Sequence, residues 1–93
     1  MGNDALQGLR GEIDRLDNNL AGLIIERLAL CRQVAAVKKA CGIAVYDSGR
    51  ESAIIDRITA GLDEETAGYL KAIFTNIMET SKSLQKAGGV QDA

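Results

Sequence analysis

The sequence predicts an all-α chain of three helices, one of them very long, intertwined with a second copy as a helical homodimer. Three observations predict it. Apolar residues recur at Leu6, Leu9, Ile13, Leu16, Leu20 and Leu23, then at Leu30, Val34, Val37 and Cys41. These steps of three and four form the seam of a long helix packed on other helices. Proline is absent from the chain, and no segment alternates polar and apolar residues as a strand does. A helix over residues 4–41 spans roughly 55 Å, whereas a 93-residue globule has a radius of gyration of about 12 Å. Much of the seam therefore stays wet unless another chain covers it, and a two-fold homodimer is the simplest cover.

Helix 1 is expected over residues 4–41, opening at Asn3 or Asp4, either of which is a fair cap. Gly8 and Gly11 weaken its first turns, by up to about 1 kcal/mol each relative to alanine. Gly42 suits the position after its end, with Lys38 and Lys39 in the last turn. After a short loop, helix 2 is expected over residues 48–60. Asp47 or Ser48 caps it, and Ser48-Gly49-Arg50-Glu51 has the form of a capping box. Ile54, Ile55 and Ile58 give helix 2 its apolar face, and Gly61 ends it. Asp63 caps helix 3, expected over residues 64–87, with Glu64 and Glu65 in its positive first turn. Its stripe runs Ala67, Leu70, Ile73, Phe74, Ile77 and Met78, continuing through Ser81, Leu84 and Gln85. Gly88 and Gly89 are expected to stop it, leaving residues 88–93 as a flexible tail. The whole reads as a single domain over residues 1–93.

Composition narrows the function. A net charge of −2 provides no general basic field for nucleic acid. With no apolar run long enough for a membrane and no signal-peptide pattern, the expected location is the cytoplasm. Histidine is absent, which removes the commonest general base and metal ligand. Cys31 and Cys41 lie ten residues apart on one helix, about 15 Å, too far for a disulfide between them. No zinc spacing, phosphate loop or nucleophilic triad is present; neither a metal nor a cofactor is expected.

The residues that break the pattern are more informative. Arg27 falls on the seam where an apolar residue belongs, and an arginine withdrawn from water needs an anion or a wet cavity. Lys38 lies eleven residues further on, about three full turns, so it points the same way as Arg27. A satisfied ion pair or a snorkelling side chain is the ordinary explanation; an anion site in a bundle core is the other. Ser81 and Gln85 are spaced i, i+4 near the end of the helix 3 stripe. Asp47, Arg50 and Glu51 each have an ordinary reading as cap or first-turn residues. Arg10 lies seventeen residues before Arg27, roughly 25 Å along the axis. One straight helix cannot bring both to a small molecule, but an antiparallel two-fold partner supplies its Arg10 to the Arg27 of the first chain.

Taken in order, the set resembles the all-helical AroQ-class chorismate mutases. The resemblance rests on Arg10 within Leu9-Arg10-Gly11-Glu12-Ile13-Asp14-Arg15-Leu16-Asp17, then Glu26-Arg27, Lys38, Asp47-x-x-Arg50-Glu51 and Ser81-x-x-x-Gln85. It implies an interlocked all-α homodimer that converts chorismate to prephenate without a cofactor, in aromatic amino acid biosynthesis. Such a [3,3] rearrangement needs no nucleophile or proton transfer, only a dicarboxylate held in a compact chair and stabilisation of the breaking ether bond. By the resemblance, Arg27 and the second chain's Arg10 bind the carboxylates, and Lys38 and Gln85 donate to the ether oxygen. Arg27, Lys38 and Gln85 are thus the expected catalytic residues. Glu51 and the backbone around Asp47 hold the ring hydroxyl, and Arg50 and Ser81 complete the lining. An amide at Gln85 donates at any ordinary pH, so activity without an acid optimum is expected. Two alternatives remain: an isochorismate-pyruvate lyase-like pericyclic enzyme of the same fold, and a non-catalytic helical dimerisation module.

Overall fold

Three helices follow one another along the chain in the computed structural model: α1 (Gly2–Cys41), α2 (Ser48–Thr59) and α3 (Glu64–Gln91). The backbone is described for residues 2–91 and the side chains for residues 2–87, and no strand occurs among them. The all-α expectation is met. Helix α1 begins at Gly2, ahead of the expected caps, so Asn3 and Asp4 lie inside it, where Asp4 places a negative charge in the positive first turn.

The ends of the helices follow local chemistry. Gly42 takes φ 67°; Ile43 N–H donates to the Lys38 carbonyl at 2.8 Å and Gly42 N–H to that of Lys39 at 3.3 Å. This pair of bonds is a Schellman motif, which uses carbonyls the helix leaves unpaired. Asp47, in extended backbone, caps α2 by accepting from Arg50 N–H at 2.9 Å. The cap is therefore Asp47 and not Ser48, which is already helical, and Glu51 is free to pair elsewhere. Helix α2 closes at Thr59, one residue short of expectation, with Gly61 at φ 78°. Asp63 accepts from Thr66 N–H at 2.9 Å to start α3. That bond holds the Asp63 carboxyl below its ordinary value.

Helix α3 does not stop at Gly88 and Gly89 but continues to Gln91. Glycine weakens a helix by about 1 kcal/mol and does not forbid one. The expected flexible tail thus begins in helical backbone, and Asp92 and Ala93 lie outside the described residues.

The chain divides between Leu30 and Cys31 into two units. The N-terminal unit consists of α1 residues. Its apolar series faces water: Leu9, Leu16 and Leu23 retain 59%, 55% and 62% of their accessible surface. Ile24, Arg27 and Leu28 are half-buried there.

In the C-terminal unit α2 packs against α3. Ile54 of α2 and Met78 of α3 are its most buried apolar side chains, each with 6% of its surface exposed. Ile55, Ile58, Leu70, Phe74 and Ile77 are half-buried around them. Ile73, expected in the stripe, is exposed, because a contact with one helix covers only a narrow strip of α3. On the α1 part of this unit, Cys31, Ala35 and Lys38 are withdrawn from water, while Val34, Val37 and Cys41 are not. The covered face is thus one step round from the expected seam. At the end of that face Lys38 Nζ donates to the Val45 carbonyl at 2.8 Å and ties the helix to the following loop.

Candidate functional site

The C-terminal unit carries six of the expected residues: Lys38, Asp47, Arg50, Glu51, Ser81 and Gln85. Each is set by its element. Lys38 stands one turn before the Schellman stop of α1. Its ammonium spends one of three N–H donors on Val45, which leaves two for a ligand. Asp47 is occupied as the α2 cap. Arg50 and Glu51 follow in the first turn of α2, Arg50 exposed and Glu51 half-buried.

Ser81 and Gln85 are the two buried polar residues among those described, at 5% and 9% exposure. They sit one turn apart on the face of α3 that holds Met78. Ser81 Oγ donates back to the Ile77 carbonyl at 2.9 Å. The Gln85 amide is different, for its buried Oε1 has no hydrogen-bond partner. A buried acceptor left unmade costs about 1–3 kcal/mol, a cost that a purely structural α3 would avoid with leucine.

Glu51 meets a residue that the sequence pattern did not single out. Lys82 Nζ lies 3.2 Å from Glu51 Oε2 and 2.8 Å from Glu79 Oε1. The same ammonium stands 4.6 Å from the centre of the Tyr46 ring, within cation–π range. Its pKa is raised, chiefly by the bond to Glu79 and then by Glu51. A signal for Lys82 was present: it lies four residues after Met78, a charge on an apolar helical face, as Arg27 is in helix 1.

A groove of about 280 Å³ is lined by Glu51, Ser52, Ile55 and Asp56 of α2 and by Lys71, Thr75 and Met78 of α3. Of the expected site residues only Glu51 reaches it. Arg10 and Arg27 belong to the N-terminal unit, Arg10 exposed and Arg27 half-buried. Among the described residues no group of three or more His, Cys, Asp or Glu side chains could hold a metal. No helix among them is long and apolar enough to cross a membrane.

Residues 9–86 match the family chorismate mutase type II. The chain belongs to the chorismate mutase type II family. A chorismate mutase of Methanocaldococcus jannaschii is 38% identical over 87 residues, covering 89% of this chain and 86% of the relative. A 3-dehydroquinate dehydratase of Pyrobaculum aerophilum is 32% identical over 86% of this chain, but the match spans 24% of that protein. The T-protein of Haemophilus influenzae is 36% identical over 81% of this chain and 19% of its own length. The region matched to the family, residues 9–86, encloses every residue of the expected set from Arg10 to Gln85.

Proposed function

We propose that the protein acts as a homodimeric chorismate mutase with the site residues expected from its sequence. The observation that carries this reading is the family match across residues 9–86, which takes in the whole ordered set. Family membership supports an isomerase that converts chorismate to prephenate. It favours neither a lyase nor a non-catalytic module.

In this reading the substrate's two carboxylates pair with Arg27 and with Arg10 of a second copy. Guanidinium groups suit this task because their planar donors match a carboxylate in two places. The ether C–O bond breaks as a C–C bond forms, within one molecule and with no atom gained or lost. The ether oxygen gains negative charge on the way, and donors from Lys38 and Gln85 meet it. Contacts that strengthen as the bond breaks raise kcat more than they lower KM. The burial of Gln85 and the spare donors of Lys38 suit those roles. Glu51 accepts the ring hydroxyl, assisted by backbone at Asp47, while Arg50 and Ser81 complete the lining. The second copy covers the exposed Leu9–Leu16–Leu23 face of α1, an apolar surface too extensive for an isolated chain. No cofactor is required.

The test is direct. Full-length protein is incubated with chorismate without metal or cofactor, and the product is identified. Prephenate is expected, and Lys38→Ala lowers kcat by about 100-fold or more. No turnover by a folded dimer, or release of pyruvate in place of prephenate, overturns the reading.

A further inference from the structure

We infer that Lys82 is a positioning residue for Glu51, clamping the loop 42–47, α2 and α3 together so that Glu51 presents one carboxylate oxygen to the substrate hydroxyl. The inference rests on the chorismate mutase reading above. Three segments converge on this one ammonium: Tyr46 from the loop, Glu51 from α2 and Glu79 from α3. Glu79 alone, three residues away on the same helix, would satisfy a lysine kept only for solubility. The contacts to Glu51 and Tyr46 are of another kind, since each ties α3 to a distant part of the sequence.

The place of Lys82 on the helix strengthens the argument. It follows buried Ser81 directly and lies one turn after buried Met78, where an apolar residue would pack without any electrostatic cost. Its side chain keeps only 18% of its accessible surface, so its solvation is replaced by fixed partners. Lys82 engages Glu51 through Oε2. A carboxylate offers two acceptor oxygens, and fixing one orients the other, Oε1. The loop is held twice over, by Lys38 at the Val45 carbonyl and by Lys82 at the neighbouring Tyr46 ring. It is the same loop that delivers Asp47 to the start of α2. A lysine on α1 and a lysine on α3 thus fix consecutive loop residues beside the proposed hydroxyl acceptor.

The experiment uses full-length protein and steady-state kinetics with chorismate. Lys82→Met keeps the aliphatic stem and removes the charge. It is expected to raise KM about tenfold while kcat changes less than about threefold, the pattern of lost uniform binding. Lys82→Arg restores most of the affinity. In a Glu51→Gln background, Lys82→Met adds less than about twofold, because the group it acts through has already changed. Tyr46→Leu, at an exposed ring, raises KM about two- to threefold in the same direction, within the range of an exposed cation–π contact. It keeps the question answerable if Lys82→Met loses helix content by circular dichroism. An active wild type whose KM is unmoved by both variants overturns the assignment of Lys82 alone. So does a tenfold loss that persists undiminished with Glu51→Gln. A wild type that makes no prephenate overturns the underlying reading and this one with it.

Discussion

From Gly2 to Leu30 the chain is a helix whose leucines at positions 9, 16 and 23 stand more than half in water, whereas from Cys31 onward α2 and α3 bury Ile54 and Met78 to 6% exposure. Both regions have amphipathic sequences. The difference is that α2 and α3 find each other within the chain, and the leucine series has no such partner in its own unit. Full burial of a leucine contributes about 1.5–3 kcal/mol, so a half-exposed row leaves much of that stabilisation unrealised. The polar residues divide in a parallel way. Arg10 is exposed on the first region, while Ser81 and Gln85 are buried on the second. In the proposed dimer the site takes Arg10 from a second copy, and for that reason dimerisation and catalysis are expected to fail together.

The largest expected effect comes from breaking the first region. Leu20→Glu puts a carboxylate into the row, and burying it unpaired costs several kcal/mol. Sedimentation equilibrium is expected to show monomers, with loss of helix by circular dichroism and loss of prephenate formation, although Leu20 has no proposed contact with substrate. A variant that stays dimeric and active shows that the row is not the interface. The second region should respond as an ordinary core: Ile54→Ala is expected to cost about 2–5 kcal/mol, read from urea unfolding. A cost near zero would mean that the α2–α3 contact contributes little.

The smallest effect sharpens the comparison at the start of α3. Asp63 has its pKa lowered from 3.8, first by the Thr66 backbone N–H. A carboxyl lowered on folding stabilises the native state above its unfolded value, and that contribution disappears as pH falls through the folded value. Wild type is therefore expected to lose more stability than Asp63→Asn between pH 6 and pH 3, since the amide caps without titrating. Equal losses would remove the Asp63 carboxylate as a source of acid sensitivity.

Much of this was legible in local chemistry. Asp47, Gly42, Gly61 and Asp63 act within one or two turns, so nearest-neighbour patterns suffice to find them. The family was legible because the order and spacing of the polar residues from Arg10 to Gln85 fall within the matched region, residues 9–86. Three things were not. Gly88–Gly89 looks like a stop in sequence, yet glycine only weakens a helix and α3 continues to Gln91. Periodicity puts the covered face of α1 near Lys38 on Val34 and Val37, while the structure withdraws Cys31 and Ala35. Periodicity finds a face but cannot say which of two adjacent faces the rest of the chain will cover. The contacts of Lys82 are invisible to local pattern because its partners Tyr46 and Glu51 are more than thirty residues away.

Sequence alone determined the three helices, the Asp63 cap, the glycine ends at Gly42 and Gly61, and the family, because each depends on local geometry or on an ordered pattern of residue types. Only the tertiary structure decided that the Gln85 acceptor is buried without a partner, that Lys38 is tied to the loop, and that one lysine joins Tyr46, Glu51 and Glu79. Those facts depend on which faces meet after the chain turns twice, and helical periodicity carries no information about the distance between segments remote in sequence.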